Sequence, residues 1–296
     1  MVENATRSCI RFMPSGIEEA FRAALAQSAE PWFPSIAEPM TATTWQAIAR
    51  HGFIMSNYGT HRWLQNDPTA ERLELATLDL GNSLKCRIEE LPVPSRVRYE
   101  AFGLVFPRSV TTEANLSAVQ SALSLIALVP SLHGTVAAYL RTLHVLQAPG
   151  IDFDVSHSDP KVPFSIFVSI PSGEREGKLR LAESIIHECM HLQLTMIEDE
   201  LPLVCDRNAL VFSPWQQTVR PLGGVLHGLY VFSVIGTYFR ALGQSCSLTQ
   251  DERAFVTKRR DEITQEVAQV AHLATAKELT DEGRVLVCYF LRCLGI

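Results

Sequence analysis

Through the first half of the chain, apolar residues recur at three- and four-residue spacing, as in Ile17-Glu18-Glu19-Ala20-Phe21-Arg22-Ala23-Ala24-Leu25, and this predicts helices that bury one face. Residues 116–129 and 135–146 predict two further helices, broken by Pro130 and Gly134, with an N-cap in Thr111-Thr112-Glu113-Ala114-Asn115. Few strand signals interrupt this region. After Ala148-Pro149-Gly150 the pattern changes, and residues 153–156 and 164–170 read as extended, the second closed by Pro171-Ser172-Gly173. Residues 178–198 then predict a helix apolar on most sides, through Leu179, Leu181, Ile185, Ile186, Met190, Leu194 and Ile197, which is the pattern of a buried helix. Residues 221–242 predict another. The C-terminal third predicts two more, with a break at 277–280. The expected fold is mainly α with a small β-sheet, an α+β chain. A boundary near residue 150 would divide a mostly helical region, 1–150, from a catalytic region, 151–296.

Composition narrows the classes. Hydrophobic residues at 47% and charged residues at 20% exclude a disordered chain. A net charge of −6, with basic residues scattered except at Lys258-Arg259-Arg260, gives no footprint for nucleic acid. The start, Met1-Val2-Glu3-Asn4-Ala5-Thr6-Arg7, does not read as a secretion signal, and the apolar runs are interrupted or short of the ~20 residues a bilayer needs. A soluble, cytoplasmic protein that engages no membrane is expected. Seven cysteines without zinc-ribbon spacing point to reduced thiols, not to a disulfide framework.

One motif carries chemistry. In His187-Glu188-Cys189-Met190-His191 the two histidines stand four apart, ~40° from one another around a helix and ~6 Å along it, so both can chelate one divalent ion. Shuffling this composition would produce the pattern only ~0.02 times per chain. Glu188 would stand beside the ion, either as general base on bound water or holding a ligand group by a hydrogen bond.

The third ligand separates mechanisms. Leu194 and Ile197 occupy the positions where a metzincin carries glycine and histidine, and no glutamate occurs from Leu201 to Asp251, the region where a gluzincin would draw one. Glu198, seven residues past His191 and ~10 Å along the same helix, is too far to share the ion; Asp206 and Glu252 stay open. His227, in the apolar run Leu226-His227-Gly228-Leu229-Tyr230-Val231-Phe232, is the preferred third ligand, and Gly223, Gly224 and Gly228 would let two helices approach around it. Arg220 precedes Pro221, read as the first helical position, and is a candidate clamp for a carboxylate near that helix N-terminus. His157-Ser158-Asp159 has the spacing of two ligands of a facial iron triad; paired with the first motif it gives too many ligands. The triplet is short and Pro160 places it in a turn, so it is assigned to substrate contact or to support of the ligands, with a rival ligand set as the alternative.

These residues together resemble the HExxH-type 2-oxoglutarate-dependent peptide β-hydroxylases associated with ribosomally made, modified peptides. The likeness covers less than half of the chain. It runs through Ser156-His157-Ser158-Asp159-Pro160, the stretch from Pro163 to Pro171, the His187 helix, and Arg220-Pro221-Leu222-Gly223-Gly224-Val225-Leu226-His227-Gly228. The resemblance implies iron(II) on His187, His191 and His227, with 2-oxoglutarate chelating the ion, Arg220 on its distal carboxylate, and dioxygen as oxidant. A precursor peptide would be hydroxylated at a β-carbon. The alternative is a zinc metallopeptidase with Glu188 as general base.

Overall fold

The computed structural model describes residues 17–51, 74–81, 84–91, 93–108, 113–151, 153–159, 164–171 and 176–296. The expected N-cap at Thr111-Thr112, the turn at Pro160, the Ser172-Gly173 stop and the amino-terminal stretch lie outside the described residues.

Helices dominate, as expected of an α+β chain with a small sheet. In the first half α1 (Ile17–Gln27) and α2 (Pro34–His51) precede a hairpin of β1 (Glu74–Gly81) and β2 (Leu84–Glu89), then α3 (Val93–Ala101), α4 (Glu113–Ile126) and α5 (Pro130–Tyr139). Strands β3 (Thr142–Leu146), β4 (Ser156–Ser158) and β5 (Ser165–Ser169) lead into the long α6 (Gly177–Glu200). A second hairpin, β6 (Leu210–Ser213) and β7 (Thr218–Pro221), feeds α7 (Leu222–Leu242), and α8 (Gln250–Ala268) and α9 (Asp281–Leu294) close the chain.

Two sequence expectations fail here for one reason. Residues 135–146 are not one helix: α5 stops at Tyr139 and Thr142-Leu143-His144-Val145-Leu146 is a strand buried at every position. A strand covered on both faces shows no alternation, so its apolar run imitates a buried helix. The hairpin β1–β2 likewise places strands where few were expected. Pro130 opens α5 rather than breaking a helix, which fits a residue that lacks the N–H a first turn leaves unpaired, and Gly134 lies inside it.

The main sheet runs β1-β2-β3-β5-β4, with β2, β3 and β5 parallel and β1 and β4 antiparallel on the edges. It therefore crosses residue 150. Because side chains alternate along a strand, each face has its own company. Leu143, Val145, Ile166 and Val168 join the large core under α4, α5, α6 and α7, whereas Leu146 and Phe167 pack with Tyr99 and Phe106 in a small second core beneath α3. β4 pairs Ser156 with Val168, His157 with Phe167 and Ser158 with Ile166. The two serines accordingly share the face toward α6, and His157 the opposite one.

Helix α6 has no side-chain cap at either end. Its stability comes from packing: Leu179, Leu181, Ile185, Ile186, Met190 and Leu194 are fully buried, each contributing ~2 kcal/mol of apolar burial. Helix α7 is the one helix among the described residues long and apolar enough to cross a membrane, and most of it is buried in the core. Helix α8 opens on a capping box between Thr249 and Glu252, and α9 ends on Gly295 in the left-handed region, φ 78°.

Candidate metal centre

The motif on α6 faces α7. His187 and His191, one helical turn apart, bring their Nε2 atoms to 3.1 Å. That is about the spacing of two adjacent nitrogen ligands, each ~2.1 Å from one ion, so this pair fits a divalent metal. Burial and, behind it, the Arg259 guanidinium hold His187 down at about 4. Burial and the neighbouring His187 hold His191 at about 3. Both imidazoles are thus neutral near pH 7, the form that binds a metal.

His227 enters from α7, five residues into that helix. Its ring lies nearly parallel to that of His191, 19° between planes, with Nδ1 to Nδ1 at 3.1 Å. The third imidazole therefore meets His191 on the nitrogen that faces away from His187. Its own Nε2 bonds Glu198 Oε2 at 3.0 Å. Among the described residues no three His, Cys, Asp or Glu side chains form a ready metal-binding group. Two converge, and the third stands behind one of them.

Glu188 points from α6 to β4. Ser156 Oγ donates to one carboxylate oxygen at 2.6 Å and Ser158 Oγ to the other at 2.7 Å, while Oε1 lies 4.0 Å from His187 Nε2. Strand alternation is what delivers both hydroxyls to one carboxylate. It also sends His157 and Asp159 to the other face: His157 packs against Tyr99 and Phe167, and Asp159 accepts from the Tyr99 hydroxyl at 3.1 Å with Arg98 at 3.5 Å. The two are not brought to the His187 pair as a ligand set.

Arg220 differs from expectation in its setting. Helix α7 begins at Leu222, with Pro221 extended (φ −54°, ψ 137°) as its N-cap, so Arg220 belongs to β7, opposite Val211, and is exposed. Pro221 accommodates strand as well as first turn, because its fixed φ suits both. Asp206 caps the backbone of Asn208, and Glu252 serves its capping box and Lys178; neither approaches the histidines.

A concavity of about 410 Å³ opens at His187, lined among others by Asp154, Arg180, Glu183, Phe232 and Arg259. Its two arginines are engaged: Arg180 grips Asp154 through two nitrogens, at 2.8 and 3.0 Å, and Arg259 grips Glu183 at 2.9 and 3.0 Å. Glu183 is nonetheless raised, because burial outweighs the pull of Arg259. Phe232 meets His187 edge-on at 5.5 Å and stacks on Trp215 at 5.1 Å, forming an apolar wall.

Sequence reasoning missed Ser156, Glu198, Phe232 and the Arg259–Glu183 pair. Only Ser156 carried a local signal, standing two residues before Ser158 in an extended segment. Glu198 was weighed solely as a ligand along its own helix, and its partner comes from another. No model of a known protein family matches the chain, and no curated protein matches it either.

Proposed function

We propose that this chain is an iron(II)- and 2-oxoglutarate-dependent hydroxylase acting on a β-carbon of a ribosomally made peptide. The observation that carries the reading is the facing pair of neutral imidazoles, His187 and His191, the first of which lines an open concavity. Bound iron would couple oxygen to 2-oxoglutarate decarboxylation, so that substrate, O₂ and 2-oxoglutarate give hydroxylated peptide, succinate and CO₂. Neutral imidazoles leave the ion's full double charge for a dianionic cosubstrate. The resemblance assigns the distal carboxylate to Arg220, which is exposed and without an ion pair among the described residues but does not line the concavity at His187. Arg259 is less suited, since Glu183, Glu262 and Glu266 already surround it. Phe232 and Trp215 keep water from one side of His187. Glu188 is held still by two hydroxyls, which suits a group that fixes its neighbours.

The test is direct. Protein loaded with iron(II) in the absence of oxygen, then given oxygen, 2-oxoglutarate and candidate peptides, is expected to release succinate and add one oxygen to a peptide, read by mass spectrometry. Zinc-dependent peptide cleavage without 2-oxoglutarate turnover would replace this reading with a metallopeptidase in which Glu188 is the base.

A further inference from the structure

Glu198 lies seven residues, and two helical turns, beyond His191 on α6, yet its carboxylate bonds across to His227 on α7. For an uncharged His227 ring, proton positions along the resulting chain are set by simple accounting. A carboxylate only accepts, so His227 Nε2 is the donor, and a neutral imidazole with Nε2–H has a bare Nδ1. That bare nitrogen sits 3.1 Å from His191 Nδ1, a contact that requires one proton, which must then be on His191. With Nδ1–H, His191 has its lone pair on Nε2, the atom that faces His187 Nε2 at 3.1 Å.

We propose that Glu198 and His227 form a positioning relay that fixes His191 as its Nδ1–H tautomer and presents the Nε2 lone pair to the ion. His227 is thus a positioning residue rather than the third ligand. The near-parallel rings of His191 and His227, and the absence among the described residues of a third converging side chain, both favour this arrangement. Ligating histidines commonly pass their second N–H to such a partner, and loss of the partner weakens metal affinity ~10–100-fold. An ion held by His187 and His191 would then be bound through His191 Nε2, the nitrogen that faces His187. This inference rests on the reading of the motif as a metal site, not on the reaction.

The experiment uses the full chain, labelled with ¹⁵N-histidine and free of metal, at a pH above the imidazole range. Long-range ¹H–¹⁵N spectra are expected to show His191 as Nδ1–H and His227 as Nε2–H, and Glu198→Ala to abolish that preference. With cobalt(II) as the probe, Glu198→Ala and His227→Ala are each expected to bind one ion per chain ~10–100-fold more weakly. The double variant should be no worse than His227→Ala, because the two act through one chain. Glu198→Gln, whose amide oxygen still accepts from His227, should restore most of the affinity. An Nε2–H His191, or a His227→Ala protein that loses cobalt as completely as His187→Ala, overturns the relay. A wild-type chain that binds no cobalt overturns the metal reading itself. Failure of hydroxylation appears only in succinate release and leaves the relay standing.

Discussion

Glu188 and Glu198 stand on the same helix, ten residues apart, and serve the same pair of histidines from opposite supports. Glu188 is buried, and its two oxygens are taken by hydroxyls from β4, a strand paired in turn with the fully buried β5. Glu198 is partly exposed and bonds an imidazole whose position depends on how α7 packs against α6. The sheet therefore locates the carboxylate beside the His187–His191 pair, and helix packing locates the one behind it. A disturbance of the sheet side should reach turnover first, and one of the helix side should reach metal affinity first.

The sharpest separation comes from the sheet side. Glu188→Gln is expected to lower 2-oxoglutarate turnover ~100-fold while leaving cobalt affinity nearly unchanged, since the residue supports the site without ligating. Ser156→Ala with Ser158→Ala leaves a buried carboxylate stripped of both donors. It should cost ~3 kcal/mol or more of stability, read by urea denaturation. If cobalt affinity falls in step with turnover in Glu188→Gln, the two carboxylates are not separable and the comparison breaks.

Acid gives the next effect and reaches both sides. His144 on the sheet side is held at about 4 by burial, as His187 is, while His191 is held at about 3. All three are depressed below the unfolded value near 6.5. The folded, metal-free protein therefore binds fewer protons than the unfolded chain between about pH 4 and 6.5, and stability is full above that window and falls as pH drops through it. Each buried histidine contributes a slope of ~1.4 kcal/mol per pH unit within it. Denaturation midpoints at pH 7, 6 and 5 measure the slope; a flat profile would show that these imidazoles reach water before they protonate.

The sequence made the helix side legible and the sheet side only partly so, for physical reasons. His187 and His191 announce themselves because their relation is local, one turn of one helix, and α6 carries a buried pattern on most of its faces. His227 was singled out as a third ligand, being the one other imidazole between His191 and His272, but that it meets His191 from behind depends on the register of α7 against α6, which no spacing encodes. Glu198 was hidden for the same cause. On the sheet side, Ser158 was singled out, yet the reason Ser156 joins it and His157 does not is the parity of an edge strand. β3 was lost to helix because a strand buried on both faces has no period to read.

The smallest expected effect lies where the helix side meets the apolar wall. Gly228 follows His227 on α7, and a Cβ there would stand 2.6 Å from Trp215 Cε3 and 2.7 Å from Cζ3. Trp215 stacks on Phe232 at 16°, and Phe232 leans edge-on against His187. Gly228→Ala must therefore push the indole outward. The overpacking is expected to cost ~1–3 kcal/mol, offset in part by alanine's better helix propensity of ~1 kcal/mol. The displaced wall would admit water beside His187 but leave the Glu198–His227–His191 chain intact. The expected signature is a modest drop in denaturation midpoint with a shifted tryptophan emission and an unchanged His191 tautomer. A lost tautomer preference would mean instead that the indole, not Glu198, sets the place of His227.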